Sequence, residues 1–326
     1  MASIRDVAKH AGVAACTVSR VLNGTATVAP ETKMKIEQAM KELDYIPNEL
    51  ARGMFLQKSG IIAMLVPSIK HPFFSSLADC IEKDLYENGY KLMLCSTSDS
   101  IERERDYINM FKSNLIDGVI MGVNGLEDKA YLQFQKPMIM LDYSVGGKMP
   151  FVVSDHKMGG ALAAEEFIRN HCHYVLHLCA EGEEREVLSY ESHRELERIL
   201  GKHNIEVKSR KIKWSSFDHR GYKELADLIL QSYPEIDGIM AADMPATAFY
   251  EAARKIGKKI PEEFCIVAYD GTYAVDMTED KLTAIVQQLE TISKEIVVTM
   301  LQILHKEKKE PEGVFIPVKL RKGSTT

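Results

Sequence analysis

The first two dozen residues constrain this 326-residue chain more than any other stretch. Apolar residues recur at helical spacing over positions 4–11, and Ser3 with Asp6 three residues later forms a capping-box pattern. Gly12 begins a tight turn, because glycine has no Cβ to oppose a positive φ. A second short helix is predicted over about 15–22. Two short amphipathic helices joined by such a turn predict a helix-turn-helix, whose second helix can enter the major groove of DNA.

The composition is that of a multidomain protein in a reducing compartment. At 326 residues two or three domains are expected, and the apolar share of 45% is ordinary for globular domains. No apolar run approaches the roughly 20 residues that cross a bilayer. The first residues lack the apolar segment of a secretory signal, and the six cysteines are scattered without a Cys-x-x-Cys pair. We therefore expect a cytoplasmic protein with reduced thiols and no membrane association.

Charge is distributed unevenly along the chain. The net charge is −6, but residues 1–60 carry eight basic and six acidic side chains, which gives +2. The remaining residues carry 33 basic and 41 acidic side chains, which gives −8. A mildly basic N-terminal segment on an acidic body predicts that contact with nucleic acid is confined to one end.

Residues from Gly60 onward follow a different pattern. The continuous apolar run at 61–66 ends at Pro67 and is typical of a strand buried on both faces. Further short apolar runs alternate with helical segments, and the alternation then starts a second time. Right-handed βαβ units with parallel strands, arranged in two lobes, are predicted. The chain is expected to end with a helix over 288–305, a strand over 314–320 and a free tail.

Several motifs in the first 48 residues resemble, in order and spacing, the headpiece of the lactose-repressor (LacI/GalR) family. They are IRDVA at 4–8, AGV at 11–13, TVSRVLN at 17–23, VAPET at 28–32 and LDYIPN at 43–48. The resemblance implies an α/β fold, with an N-terminal helix-turn-helix headpiece before a two-lobed, periplasmic-binding-protein-like parallel α/β body. Two ordinary core helices are the alternative interpretation of the opening segment.

The resemblance also divides the chain. A headpiece, a hinge helix or linker and an effector-binding and dimerisation domain are expected at 1–47, 48–59 and 60–326. Lobe 1 is expected at about 60–158 plus about 288–312, and lobe 2 at about 159–287 plus the C-terminal strand. In the family a leucine at the centre of the hinge helix opens a base step in the minor groove. Met54 takes that position here, and a linker residue packed on its dimer mate is the alternative.

The family pattern places the start of the second helix against base edges. Ala15 and Cys16 then offer only apolar contacts, for example to a thymine methyl group. Arg20 can donate to guanine O6 and N7 together, which is worth about 1–3 kcal/mol of discrimination. A phosphate-bound or solvated arginine is the alternative for Arg20, and a small filler is the alternative for Cys16. Three further polar residues are expected to hold phosphates: Thr17, Ser19 and Asn23.

Ligands of open α/β lobes bind beyond the carboxyl ends of the strands, so the residues there are candidates. The family commonly has Asn-Pro-Phe-Phe after the first strand, and this chain has His71 in place of the asparagine. The resemblance implies that Phe73 stacks on a sugar ring or a base. Ser96 follows the second strand, and Asp142 ends the fourth. Tyr143 departs from the arginine that the family often has next.

The second lobe supplies four more candidates by resemblance. Arg194 corresponds to an arginine that reaches ligand hydroxyls or a carboxylate. Asp243 belongs to a motif whose asparagine is replaced here by Ala242, and Asp270 and Gln287 match a ligand-binding aspartate and glutamine. With Asp142, these side chains would supply donors and acceptors for a polyol. Each of them alone also fits a solvated or structural role.

The resemblance implies a homodimeric repressor that binds double-stranded, pseudo-palindromic operator DNA. A small polar effector between the lobes, a sugar or sugar phosphate, would control the operator affinity through a coupling free energy between the two sites. The alternative keeps the DNA binding but gives control to a purine-type corepressor or a phosphorylated carrier protein. No enzyme motif, cofactor motif or metal-ligand spacing is found in the sequence, so no catalytic role and no cofactor are expected.

Overall fold

Three helices form the N-terminal headpiece. The computed structural model of the chain describes residues 2–23, 28–46, 58–113, 115–180, 187–212, 219–307 and 313–326. The headpiece helices are α1, Ile4–Ala11; α2, Ala15–Asn23; and α3, Pro30–Glu42. The backbone N of Ser3 donates to Asp6 Oδ2 at 2.8 Å, and Asp6 N donates to Ser3 Oγ at 3.4 Å. The predicted capping box and helix-turn-helix are therefore confirmed, and Gly12 lies in the left-handed region at φ +65°.

A small apolar core joins the three headpiece helices. Val7 of α1, Val18 of α2 and Ile36 of α3 are fully buried in one cluster. His10 Nε2 lies 2.6 Å from Glu42 Oε2, which connects the ends of α1 and α3. Because each helix contributes a single apolar stripe to this core, the opposite face of α2 remains accessible to solvent.

Two sheets of six described strands each build the body. The body, Ile61–Lys112 and Asp117–Thr326, and the headpiece are separate compact units. The first sheet contains β1, Ile61–Val66; β2, Lys91–Ser96; β3, Gly118–Met121; β4, Met138–Leu141; β5, Phe151–Ser154; and β11, Gly313–Ile316. The second sheet contains β6, Tyr174–Ala180; β7, Glu206–Ile212; β8, Gly238–Ala242; β9, Cys265–Asp270; β10, Thr283–Val286; and β12, Lys319–Arg321.

The two sheets have matching strand orders. These are β11-β5-β4-β3-β1-β2 and β12-β10-β9-β8-β6-β7. Strand β12 pairs antiparallel with β10, and all the other described pairings between named strands are parallel. The predicted pair of parallel α/β lobes is therefore confirmed, and in each lobe the carboxyl ends of the parallel strands meet at one edge.

Helices cover the sheets of both lobes. Those of lobe 1 are α4, Pro72–Glu87; α5, Ile101–Phe111; α6, Asp128–Leu132; and α11, Leu289–Leu304. Those of lobe 2 are α7, His156–Arg169; α8, Glu191–Lys202; α9, His219–Ser232; and α10, Asp243–Lys255. Among the residues that the structure describes, none of the helices has the length and apolar character needed to cross a membrane.

The apolar run at β1 forms the centre of lobe 1, as its pattern predicts. Residues Ile62 to Val66 are fully buried, because helices cover both faces of the sheet. Ile62 and Met64 belong to one cluster with residues of α4 and α11, such as Leu77 and Ile296. This packing fixes the positions of the loops that follow the strands, where the candidate ligand residues lie.

The C-terminal strand differs from its prediction. The segment predicted as one strand over 314–320 is divided at Pro317, with β11 in the first sheet and β12 in the second. Proline has no N–H for a ladder hydrogen bond, so the chain leaves one sheet there and joins the other. Strand β5 has only four residues and was not predicted. The chain crosses between the lobes after β5, after β10 and after β11.

The end of the chain is packed against lobe 2, although the sequence predicts a free tail. Thr325 is fully buried. Its Oγ1 donates to the carbonyl of Ile266 at 2.7 Å and accepts from the N–H of Thr283 at 2.9 Å. The side chain of Thr326 donates to Glu166 Oε2 at 2.8 Å. Small hydroxyl side chains look like loop residues in sequence, but here they satisfy backbone groups at the edge of a sheet.

Candidate functional site

The exposed face of α2 carries the candidate DNA contacts. Cys16 and Arg20, four residues apart, are both exposed and lie opposite the buried Val18. Ala15, Thr17 and Ser19 are half-buried on the flanks. Asn23 is the last residue of α2, but its side chain lies outside the described residues, and so does all of Met54. Their roles in DNA contact remain predictions.

A cavity of about 580 Å³ lies at the carboxyl ends of strands from both lobes. The predicted ligand residues that line it are Phe73, Asp142, Asp270 and Gln287. Residues that follow or end other strands also line it, namely Pro67, Thr97, Gly122 and Ala242. A cleft formed at the strand ends of two parallel sheets is the expected ligand site of this architecture.

Asp270 is held in the cavity by a chain of buried hydrogen bonds. Gln287 Nε2 donates to Asp270 Oδ1 at 2.8 Å, and Ser154 Oγ donates to Gln287 Oε1 at 2.7 Å. The Gln287 side chain thus donates through its amide nitrogen and accepts through its amide oxygen within the protein. It therefore orients Asp270. Asp270 has a φ of +109°, a strained conformation for a residue with a side chain. Burial, together with the nearby charge of Asp243, raises the pKa of Asp270 well above its ordinary value.

Asp243 is not brought to the cavity, which differs from its predicted role. Its carboxylate is buried, and it accepts from Gly271 N at 3.0 Å and from Thr272 N and Oγ1 at 2.6 Å each. Burial raises the pKa of Asp243 to about 7, although these hydrogen bonds oppose the shift. Asp243 therefore fixes the turn after β9 that presents Asp270.

Asp142 occupies the corresponding position in lobe 1. It has a φ of +55°, and its side chain is largely buried. Oδ1 lies 3.2 Å from His156 Nε2, and the Asp142 carbonyl accepts from Leu188 N at 3.0 Å. His156 and Leu188 both belong to lobe 2 segments. Asp142 is thus a point where a cavity residue of one lobe is bonded to the other lobe.

Ser96 and Arg194 do not reach the cavity either. Ser96 Oγ donates to the carbonyl of Pro67 at 3.3 Å and joins the ends of β1 and β2. Arg194 is half exposed, and its Nη1 donates to Glu191 Oε1 at 2.6 Å. On α8 it is His193, one residue earlier, that lines the cavity. Successive helical residues point about 100° apart, so the assignment of Arg194 by helix position alone selects the wrong side.

Three histidines of the cavity are not predicted by the sequence analysis. His71, His156 and His193 all line it. Burial lowers the pKa of His71 to about 4 and that of His193 well below its ordinary value, so both rings are neutral near pH 7. Behind His193, its Nδ1 lies 3.0 Å from Nδ1 of the buried His177. The only sequence signal that could have placed these histidines in the cavity is their position near the end of a strand or the start of a helix, and this signal is weak.

Aromatic rings from both lobes line the cavity. In lobe 1, Phe73 is buried and packs edge-to-face on Phe74, with ring centroids 5.2 Å apart. In lobe 2, Tyr269 stacks on His156, with centroids 5.8 Å apart. Such rings can pack on the apolar face of a sugar while hydroxyls and carboxylates contact its edge.

The cavity lining is acidic in composition. Its described part contains four carboxyl side chains, from Asp99, Glu104, Asp142 and Asp270, and neither lysine nor arginine. Glu104 is engaged by the protein, since it accepts from Tyr131 Oη at 2.5 Å and Gly125 N at 3.0 Å. Within the described ranges, no group of three or more potential side-chain ligands is placed to hold a metal ion.

A helix-turn-helix headpiece and a two-lobed body with a polar cleft define a DNA-binding regulator with a small-ligand site. Residues 3–48 match the bacterial regulatory proteins of the lacI family. Residues 59–324 match the periplasmic binding proteins and sugar binding domain of the LacI family. The chain belongs to the LacI family, and it is a DNA-binding transcriptional repressor.

Similar proteins span the whole chain. The ribose operon repressor of Halalkalibacterium halodurans is 34% identical, covering 100% of this chain and 97% of that protein. The sucrose operon repressor of Streptococcus mutans is 30% identical, covering 100% and 99%. In fold, the lac repressor dimer bound to operator and the anti-inducer ONPF aligns with a TM-score of 0.86 at 22% identity, covering 99% of this chain and 98% of that one.

Proposed function

We propose that this repressor is controlled by an uncharged saccharide bound in the cleft between its lobes. The observation that carries the proposal is the chemistry of the cavity. Hydroxyl and carboxyl groups at the strand ends, together with aromatic rings of both lobes, line a space of about 580 Å³. A polyol offers many hydroxyl donors to carboxylate acceptors and an apolar ring face to the aromatics.

The acidic lining favours a neutral ligand over a sugar phosphate. A phosphate placed near the Asp142 carboxylate would meet a like charge in a poorly solvated site, where repulsion is strong. The described lining offers no cationic lysine or arginine to offset that charge. Of the two expected ligands, a sugar and a sugar phosphate, the lining therefore favours the uncharged sugar.

Relatives with sugar names support the same class of ligand. The ribose and sucrose operon repressors match this chain from end to end. A LacI family regulator of Enterococcus faecalis solved with bound ribose shares the fold with a TM-score of 0.71 at 24% identity. We further propose that the protein acts in the cytoplasm as a homodimer on a pseudo-palindromic operator, and that it has no catalytic role.

Calorimetric titration of the purified full chain tests the proposed ligand. The panel is D-ribose, sucrose and cellobiose, with D-ribose 5-phosphate as the charged match of D-ribose and hypoxanthine as a purine. We expect one neutral sugar to bind with at least about tenfold higher affinity than the phosphate, which corresponds to about 1.4 kcal/mol.

The variant Asp270→Asn is the matched test of the site, because it keeps the size of the side chain. It should weaken binding of that sugar by about 0.5–1.5 kcal/mol, the net contribution of one hydrogen bond that does not involve a charge, because the amide nitrogen cannot accept as the replaced carboxyl oxygen can. Ser96→Ala, outside the cavity, is the control and should bind as the wild type does. Binding of the phosphate or the purine alone would refute the proposal, and so would binding of nothing in the panel.

A further inference from the structure

His156 connects the two lobes through its side chain. It is the first residue of α7 in lobe 2, and its ring is almost fully buried. Nε2 lies 3.2 Å from Oδ1 of Asp142, which follows β4 in lobe 1. Nδ1 lies 2.9 Å from the hydroxyl of Tyr269 on β9 in lobe 2. The ring therefore joins a cavity residue of each lobe.

The chemistry of the carboxylate fixes the direction of one of these hydrogen bonds. A carboxylate only accepts, so Nε2 of His156 carries a hydrogen and donates it to Asp142. Nδ1 shares the second hydrogen bond with the Tyr269 hydroxyl. The chain of contacts therefore runs from Tyr269 through His156 to Asp142.

Small residues beside His156 make this arrangement possible. A Cβ at Gly159 would lie 2.3 Å from the Tyr269 hydroxyl oxygen, too close for that side chain to keep its position. The Tyr269 ring also stacks on His156 with an interplanar angle of 22°. The position of Tyr269 under the start of α7 is thus determined by packing as well as by the hydrogen bond.

A second bond at Asp142 crosses between the lobes at the same place. The Asp142 carbonyl accepts from Leu188 N at 3.0 Å, and Tyr143 forms an isolated bridge with Val187. The segment at 187–190 leads directly into α8. Helices α7 and α8 are in close contact, since a Cβ at Gly160 would lie 2.2 Å from the carbonyl oxygen of Ser192. Asp142 is therefore linked to both helices of lobe 2 that face the cleft.

We propose that His156 is a positioning residue that orients the Asp142 carboxylate in the cavity and transmits ligand contact at Asp142 to helix α7. A ligand hydroxyl that donates to Asp142 shares the carboxylate charge with His156 Nε2–H. The two bonds then compete, so binding changes the strength of the link between the lobes. This second, transmitting role rests on the proposed function, whereas the positioning role does not.

Hydrogen exchange of single amides in the full chain tests the positioning role without any sugar. The variant His156→Phe keeps a ring for stacking on Tyr269 but removes both hydrogen bonds. We expect the Leu188 amide to exchange at least about tenfold faster in this variant. The Ile266 amide, which donates to Thr325 within lobe 2, is the internal control and should be unchanged.

Two further variants separate positioning from a structural role. In His156→Gln the side-chain amide can donate to Asp142 again, so protection of Leu188 should be partly restored. In Tyr269→Phe the bond to Asp142 remains, and protection should fall less than in His156→Phe. Equal exchange of Leu188 in wild type and His156→Phe would overturn the proposal, and so would equal acceleration of Leu188 and Ile266.

A titration with D-ribose, sucrose and cellobiose tests the transmitting role. The readout is the affinity for a DNA duplex selected from a random pool by the wild-type protein. We expect one of these sugars to change the wild-type affinity by at least about fivefold, the low end of allosteric coupling, and the change to vanish in His156→Phe. A full sugar effect in His156→Phe would overturn transmission. Loss of the effect in the wild type would overturn the proposed ligand class and, with it, transmission, while the exchange result for positioning would stand.

Discussion

Arg20 is the longest hydrogen-bonding side chain of α2. It is exposed on the same side as Cys16, whose small thiol can offer little polar readout. We therefore predict that base discrimination by this helix depends on Arg20, since a guanidinium can donate to guanine O6 and N7 at once. The other polar residues of α2 have short side chains suited to phosphate contact.

Replacement of Arg20 tests this division of roles. Arg20→Ala should reduce the preference for the selected operator over random duplex by about 1–3 kcal/mol while the protein stays folded. Arg20→Lys is the matched control, because it keeps the charge but not the two-pronged geometry, and it should lose preference while retaining non-specific binding. Competition gel shifts at fixed salt measure both. An unchanged preference in Arg20→Ala would disprove the assignment.

Glu166 is a buried carboxylate, and two of its three partners come from the end of the chain. It accepts from Arg169, Lys322 and Thr326. Burial by itself would raise the pKa of Glu166, but the hydrogen bonds from Lys322 and Thr326 and the nearby positive charges outweigh burial and lower it. A lowered pKa means that the ionised form stabilises the folded state above the ordinary glutamate pKa, and that this stabilisation is lost as the pH falls through the lowered value.

The variant Glu166→Gln should therefore be less stable than the wild type at pH 7, by about 1–2 kcal/mol. The difference should shrink as the pH falls below the ordinary glutamate value of about 4.3. Urea denaturation of both proteins between pH 7 and pH 3 measures it. A difference that stays constant over this range would show that the charge of Glu166 is not the cause.

Single residues also show which parts of the candidate site could be predicted from the sequence and which could not. Asp142 and Asp270 could be placed in the cleft, because strands end just before them and parallel strands end at one edge. The same argument from motifs selected Arg194 and Asp243, yet neither of them lines the cavity. His156 has no motif of its own. Its importance arises from Tyr269, 113 positions away, and no local pattern contains that contact.

At the scale of elements, the contact between α7 and α8 is set by glycine. Gly160 faces the backbone of Ser192, and a Cβ there would lie 2.2 Å from the Ser192 carbonyl oxygen. Backbone atoms cannot move aside as the end of a flexible side chain can. Gly201 near the end of α8 is the opposite case, because nothing lies within 4 Å of its added Cβ.

Replacement of these two glycines by alanine should change the free energy of unfolding in opposite directions. Gly160→Ala should destabilise the protein by about 1–3 kcal/mol, because it forces two helices apart. Gly201→Ala should stabilise it by about 0.4–1 kcal/mol, because it lowers the entropy of the unfolded chain at a helical position with open space. Urea midpoints of the two variants and the wild type check both. Equal effects would contradict the close approach of α7 and α8.

Elements were predictable where the local pattern and the tertiary role agree. The apolar run of β1 could only be a buried strand, and the capping box at Ser3 fixed the start of α1. Strand β5 has four residues and no periodicity to detect. The strands on either side of Pro317 were predicted as one strand, because no local pattern in the sequence indicates that the chain passes from one lobe to the other there.

At the scale of the whole molecule, one chain carries a DNA-binding headpiece and a ligand cleft as separate compact units. The charges are divided in the same way, with +2 in residues 1–60 and −8 in the remainder. The resemblance of the headpiece made the class of protein predictable. The identity of the ligand could not be predicted, because ligand choice depends on which side chains of the two lobes converge on one cavity. The central claim is that the saccharide in the cleft sets the affinity of the headpiece for its operator.

The most direct measurement of this claim is fluorescence anisotropy of a labelled operator duplex, selected by the wild-type protein, at fixed salt with increasing D-ribose, sucrose or cellobiose. We predict that one sugar changes the operator affinity by at least about fivefold, which corresponds to about 1 kcal/mol. Asp270→Asn should require a higher concentration of that sugar for the same change. Operator affinity that is unaffected by every neutral sugar, or that changes equally in wild type and Asp270→Asn at each concentration, would contradict the account.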